Sequence, residues 1–487
     1  MEAEAGTLEL FELSFSDLLL LSSLASNAIS PSTRDLIRLQ SISAAVMRTL
    51  GPSGPGLLSI SGTPKAAALR RSLLPLARKL ALLGHKDRVR VLKKHGLGSD
   101  VSLKNLERSV SSFALLLRYA GESRSVSSSS TPDDIEKDKD NVERNPIIHM
   151  FQDFNDDDFE QLGDYFKELG LCMMELGIHL ARVCDMTIGS KELERSIVES
   201  GSAKGRLIHY HSALDNIILK ETCRRTKASM KKVGPNKLCH SLAYKSRPFC
   251  NSPTRLEDMI LDEQTPLKQE NMLVQDKFST TSFSNLWQQW HYDYGIFTVL
   301  TAPMFFSSYL AEDCSYTSMS QECPSPDRHT YLQLFDTKKN KVFVVESSPE
   351  NFIIQVGEAA DILSRGELRS TLHSVSRPLE LGNISRETFV VFLQPAWDKT
   401  LSYSGYSLDA EDETNSEEKL ASRDGPSEPC KRDLLLSSDI SADQSMQEIL
   451  KKIPPLTSRL KDGMTFAEFS RETTKQYYGG SGTQCRN

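Results

Sequence analysis

The sequence predicts an α+β protein with a mainly β core, in which short strands form a sandwich or barrel flanked by helices, one of them long. Three observations carry this reading. Alternating or apolar runs follow one another closely between residues 290 and 393, as the strands of such a fold do. A stripe of large apolar residues recurs at three- and four-residue steps from Phe159 to Val183, the period of a helix with one buried face. The first hundred residues read as strand, helix, strand, helix, which adds an α/β part ahead of the β core.

In order, residues 8–22 mix apolar and acidic positions and suggest a strand followed by a turn. Beyond Pro31-Ser32, the apolar residues Leu36, Leu39, Ile42, Val46 and Leu50 predict a helix, and Gly51-Pro52 stops it. Gly56–Gly62 is a short apolar run between glycines, read as a buried strand. Thr63 as N-cap and Pro64 at the first helical position then open a second helix. Residues 122–145 are Ser-rich and then charged, the composition of a surface loop.

Asn155 and the acidic run after it suit the positive end of the long helix. Phe159, Leu162, Phe166, Leu169, Met173, Leu176, Leu180 and Val183 form its stripe; this lasts under four heptads, so a scaffold helix is preferred to a coiled coil. His179 beside the stripe reads as structural. Gly205–His211 is a strand whose His209 and His211 share a face, but no carboxylate follows at strand spacing, so metal ligation there is disfavoured. Residues 222–248 are rich in Lys and Arg and poor in aromatics, a solvated insertion rather than a surface that stacks bases. Tyr331–Phe335 and Lys341–Val345 flank a polar turn and predict a hairpin; Phe352–Gly357, Ser370–Ser376 and Arg386–Leu393 are further strands. An acidic segment at 404–450 reads as disordered, and Thr465–Phe469 begins a last helix that runs to Tyr477-Tyr478.

Composition narrows the classes. The 487 residues suffice for one large domain or two smaller ones, and the net charge of −7 gives no general argument for nucleic acid as a partner. Nine cysteines without a CxxC pair indicate neither a zinc ribbon nor a disulfide framework, and point to a reducing compartment such as the cytoplasm or nucleus. The amino terminus lacks the basic region of a signal peptide, and Leu18–Leu21 is too short to span a bilayer, so no membrane insertion is expected.

The chemistry is organised around Trp290–Leu300, read as one strand carrying His291 and Asp293. Residues at i and i+2 of a strand project to one face. Two His and one carboxylate on one face of a metal, with its other positions open, make the facial triad of non-haem Fe(II) oxygenases. His-x-Asp alone is a weak signal, but His373 lies in a later strand, 80 residues beyond Asp293, and completes the set. Thirteen residues further on, Arg386 and Thr388 again share a face. A guanidinium fork beside a hydroxyl is what the distal carboxylate of a buried dicarboxylate such as 2-oxoglutarate requires.

These pieces resemble the plant-type, isopenicillin-N-synthase-like family of Fe(II)- and 2-oxoglutarate-dependent oxygenases. His291-x-Asp293 in its His-x-Asp-Tyr-Gly context, His373 in Ser370-Thr371-Leu372-His373, and Arg386-Glu387-Thr388 (Thr for the family's Ser) match in the family's order, over most of residues 8–400. The resemblance implies a double-stranded β-helix, or jelly roll, with His291, Asp293 and His373 as iron ligands and no catalytic residue beyond them. It also implies Arg386, Thr388 and Tyr210 as co-substrate ligands, with 2-oxoglutarate and O2 consumed, succinate and CO2 released, and ascorbate in support. Residues 1–120 would be the N-terminal α/β part, 121–146 a loop, and 147–400 the catalytic core with insertions near 222–260 and 301–329. Residues 404–450 would be the acidic segment and 451–487 the C-terminal helix and tail. The long insertions alter the rim of the site, so the substrate of a relative does not transfer. A small organic substrate is the family's default, and the basic loop leaves a macromolecular one open. Two other readings stand beside the hydroxylase: an interaction protein on the same fold with little turnover, and an oxidase that does not use 2-oxoglutarate.

Overall fold

The computed structural model describes residues 6–27, 32–103, 105, 108–119, 156–220, 223, 285–310, 318–378, 383–402, 447, 449–451 and 453–478. The loop expected at 121–146, all of the basic insertion 222–260 except Cys223, and residues 404–446 of the acidic segment lie outside them.

The N-terminal part opens with β1 (Gly6–Glu9) and β2 (Glu12–Ser14) and then enters α1 (Phe15–Ala25), where the sequence suggested a turn. Ser14 caps α1 by accepting the Asp17 N–H at 3.1 Å, and Leu18 and Leu21 are fully buried. The four consecutive leucines hid the helical period. Helix α2 (Thr33–Leu50) runs as expected, capped by Ser32 and ended at Gly51, with Leu39, Val46 and Leu50 in the core. Strand β3 (Leu57–Ser61) is buried. Thr63 does not cap α3 (Ala66–Leu82): Lys65 precedes the helix at φ +60°, so Thr63 and Pro64 form a turn ahead of it. Helix α4 (His85–Lys94), β4 (Gly98–Ser99) and β5 (Val110–Arg118) complete this part.

The predicted long helix is α5 (Leu162–Ile188), entered through a 3-10 turn at Asp156–Phe159, and every residue of its apolar stripe is buried. Phe166 meets Phe389 edge to face at 4.7 Å, so α5 backs the sheet to which Phe389 belongs. His179 is structural, with Nδ1 2.8 Å from the Ser22 hydroxyl. Helix α6 (Glu192–Ser200) leads into β6 (Ser202–Tyr210).

The remaining strands are β7 (Leu286–His291), β8 (Phe297–Thr301), β9 (Met304–Leu310), β10 (Ser318–Cys323), β11 (Leu332–Asp336), β12 (Lys341–Glu346) and β13 (Phe352–Val356). Helix α7 (Glu358–Leu363), β14 (His373–Ser376) and β15 (Ile384–Leu393) follow, and helices α8 (Leu456–Arg459) and α9 (Phe466–Tyr478) close the described chain. One sheet has the order β1-β12-β11-β14-β7, the other β2-β3-β13-β8-β15-β6-β5-β4. From β6 to β15 the chain alternates between them: β6, β8, β13 and β15 lie in the second, β7, β11, β12 and β14 in the first. Their pairings are antiparallel throughout. Two facing antiparallel sheets wound in this way are a double-stranded β-helix, the jelly roll expected from the sequence.

Both sheets extend into the N-terminal part, since β3 pairs with β13, β5 with β6 and β1 with β12. The antiparallel pair β9–β10 lies within residues 301–329, where the sequence suggested an insertion, and attaches to β15 through β9. Tyr210, Trp287, Phe305, Tyr331, Ile353, Val375 and Val390 fill the space between the sheets.

Candidate metal centre

The segment Trp290–Leu300 is not one strand. His291 ends β7 in one sheet, Phe297 begins β8 in the other, and Asp293 sits in the crossing between them. That crossing is held by close backbone approaches: a Cβ on Gly357 would lie 2.3 Å from the Gly295 carbonyl oxygen, and one on Gly295 would lie 2.7 Å from that of Leu393. Both glycines are required by space, and the turn they permit brings Asp293 back over the end of β7.

His373 opens β14 and is the direct partner of His291 across the β14–β7 ladder. The ring centroids are 4.2 Å apart. His291 Nε2 lies 3.7 Å from Asp293 Oδ1, and His373 Nε2 lies 3.8 Å from Asp293 Oδ2. Ligand atoms of all three fall within 4.8 Å of one another. Ligands bonded at about 2.0–2.2 Å to one ion sit at separations of this order. The three side chains are 7–16% exposed, so the group faces an approach from solvent.

The rings are oriented to offer a lone pair. His291 Nδ1 is 2.7 Å from the Gln289 carbonyl, and His373 Nδ1 is 3.0 Å from that of Thr371. A carbonyl only accepts, so each Nδ1 carries the proton and each Nε2 is left to bind a cation. Burial, followed by the neighbouring His373, pushes the His291 imidazole down to about 4, which keeps it neutral at pH 7. Asp293 Oδ2 accepts the Thr298 hydroxyl at 2.6 Å. The Gln355 carboxamide is 2.7 Å from His373 Nδ1 and 3.3 Å from its Nε2; with Nδ1 protonated, the amide oxygen is the group that fits there. The residues present therefore fit a divalent metal bound by two imidazoles and a carboxylate.

Arg386 and Thr388 lie on β15 on one face, as expected. Arg386 is 3% exposed, bonded through Nε to the Thr330 carbonyl at 3.0 Å. Among the described residues no carboxylate forms an ion pair with it, and burial lowers the pKa of its guanidinium. Tyr210 is its direct partner on β6, with the guanidinium carbon 5.1 Å from the ring centre. The Thr388 hydroxyl is 3.3 Å from the Thr301 side chain and carbonyl.

A second group, His209, His211 and Asp215, also brings ligand atoms within 4.8 Å of one another. It is sealed, with His209 and Asp215 fully buried, and already balanced. Arg78 bonds Asp215 at 2.7 and 3.0 Å, and His209 Nδ1 is 2.7 Å from Glu387. A dication there would sit beside a guanidinium and among side chains that the described residues already enclose, so a buried charge network is the better account.

Gln355, Thr298 and Thr330 were not singled out from the sequence. The available signal was a lone polar residue in an apolar strand: Gln355 interrupts Phe352–Val356 and is fully buried.

No family model matches the chain, and no curated protein matches it. Solved structures do resemble it. T7H of Neurospora crassa, in complex with α-ketoglutarate and 5-formyluracil, is 12% identical over 84% of this chain and 92% of its own, with a TM-score of 0.42. The dioxygenase for auxin oxidation of rice is 14% identical over 81% and 85%, with a TM-score of 0.41. A putative 2OG-Fe(II) oxygenase family protein of Caulobacter crescentus is 12% identical over 91% and 99%, with a TM-score of 0.40.

Proposed function

We propose that this protein is an Fe(II)- and 2-oxoglutarate-dependent oxygenase of the plant-type, isopenicillin-N-synthase-like kind, acting on a small organic substrate. The observation that carries the reading is one geometry. His291, Asp293 and His373 converge with both imidazole Nε2 atoms turned to the carboxylate, at the end of a jelly roll whose β15 buries the Arg386 cation.

In this reading His291 and His373, as neutral imidazoles, and the Asp293 carboxylate would together hold iron. Bound iron supplies the activation of O2 and of the 2-oxo acid. The balance is 2-oxoglutarate, O2 and R–H in, and succinate, CO2 and R–OH out. Arg386 binds the distal carboxylate of 2-oxoglutarate, and burial makes that pairing strong. Thr388 adds a hydroxyl beside it, and Tyr210, against the guanidinium, a second. Phe389 and its neighbours on β15 keep water from the sheet behind the pair. Ascorbate would serve to keep the iron reduced. The cytoplasm or nucleus is the compartment this reading places it in. Among the described residues Cys172, Cys184 and Cys323 are in no disulfide, and no helix there is long and apolar enough to cross a membrane.

The test is a metabolite-extract screen with iron, 2-oxoglutarate and O2, read by mass spectrometry for a species gaining one oxygen, with succinate measured in parallel. Product formed with succinate supports the reading. Product formed equally without 2-oxoglutarate makes the protein an oxidase of this fold, and iron retention with neither product nor succinate favours an interaction protein.

A further inference from the structure

Residues 449–451 and 453–478 reach the outer side of the candidate metal centre. Ile449 and Ile453 pack against the cluster of Phe335 and Leu372, the latter preceding His373, and Trp290 and Tyr292, which flank His291, pack against the same cluster. At the end of α9, the Tyr477 hydroxyl accepts the backbone N–H of Tyr292, between the two ligands, at 3.3 Å. At its start, Phe466 meets the ring of Tyr294, just after Asp293, at 5.9 Å. Arg459 of α8 is 1% exposed; it forks onto Glu358 at 2.5 and 2.7 Å, with its guanidinium carbon 5.4 Å from the Tyr477 ring centre. Glu358 in turn donates its backbone N–H to the Asp293 carbonyl at 2.8 Å. The crossing is thus gripped before, at and after Asp293.

We propose that residues 449–478 act as a clasp that sets the position of the ligand loop 291–295, with Tyr477 and Arg459 as positioning residues for a metal they do not touch. The inference rests on the reading of His291, Asp293 and His373 as a metal site. The physical reason is conformational. Between β7 and β8 the chain leaves the sheet ladders, and a loop left to itself must be ordered when the metal binds. A clasp that orders it beforehand appears as tighter metal binding. Partners one shell removed from a metal are worth about 10- to 100-fold in affinity.

The experiment uses the full chain and Co(II), titrated anaerobically, read by calorimetry and by the cobalt d–d absorption. Wild type, Tyr477→Phe, Arg459→Met and the surface control Lys475→Ala are compared, with thermal unfolding of each metal-free protein. Tyr477→Phe, which loses one hydrogen bond, is expected to bind about 3- to 10-fold more weakly, and Arg459→Met about 10- to 100-fold. Both should show an altered d–d band, with the metal-free Tyr477→Phe and Lys475→Ala unfolding as wild type does. Binding by both Tyr477→Phe and Arg459→Met within twofold of wild type, with an unchanged band, overturns the clasp while leaving the metal site standing. If Arg459→Met does not fold, Tyr477→Phe decides alone. Wild type that binds no Co(II) overturns the metal-site reading and the clasp with it.

Discussion

Replacing Arg386 by Met separates what the residue does for the fold from what it does for a ligand. The guanidinium is almost fully buried, bonds the Thr330 carbonyl and the Tyr210 side chain, and has no carboxylate partner among the described residues. An uncompensated buried charge opposes folding. A Met of similar length loses those two bonds, worth about 1 kcal/mol each, and relieves the desolvation of a cation, so the metal-free variant should unfold about as easily as wild type. Binding of 2-oxoglutarate should behave in the opposite way. Two charge-assisted hydrogen bonds at about 1.5–2 kcal/mol each amount to roughly 3–4 kcal/mol, a few hundred-fold in Kd. The assay is anaerobic calorimetry of 2-oxoglutarate into the Fe(II)-loaded proteins, with denaturant unfolding of the metal-free ones. A change in Kd below about fivefold would refute the assignment of Arg386 to the distal carboxylate.

Three further outcomes are expected. Although burial opposes the charged form of His209, Glu387 and Asp215 outweigh it and hold the imidazole at about 9. A pKa raised above the unfolded value of about 6.5 gives stability that is complete below pH 6.5 and lost as pH rises through 9. This amounts to about 3 kcal/mol; denaturant melts at pH 6.5 and pH 9.5 should show that loss in wild type and a flattened slope in His209→Gln. Gln355→Leu should weaken metal binding about 10-fold by calorimetry while leaving metal-free stability equal or higher; affinity equal to wild type would leave Gln355 without a role at His373. Gly357→Ala should cost at least about 2 kcal/mol in denaturant melts, because its Cβ would meet the Gly295 carbonyl oxygen at 2.3 Å and the Asp293 carbonyl oxygen at 2.9 Å.

The strands were legible because a strand buried on one or both faces writes its burial into its residues. Leu332–Leu334 and Phe352–Val356 do so, and α5 does the same at helical period. The break between His291 and Asp293 was not legible: Tyr292, Tyr294 and Ile296 are good strand formers, and only the packing of Gly295 and Gly357 against other backbone forces the crossing. Local propensity also missed α1, whose four leucines carry no period, although Ser14 and Asp17 are a capping signal in hindsight. The clasp could not be read at all. Tyr477 and Tyr292 are 185 residues apart, and the Glu358–Arg459 pair has no local signature. The candidate metal ligands could be proposed from the sequence because metal chemistry restricts residue types, while the residues packed around them are set by tertiary contact alone.

The most direct test of the account is anaerobic calorimetry of Fe(II) and then 2-oxoglutarate into the metal-free protein, alongside a His291→Ala, Asp293→Ala double variant. The account predicts one Fe(II) per chain and 2-oxoglutarate binding that requires it, with both lost in the variant. Fe(II) bound equally by wild type and variant, or 2-oxoglutarate bound without regard to iron, would contradict it.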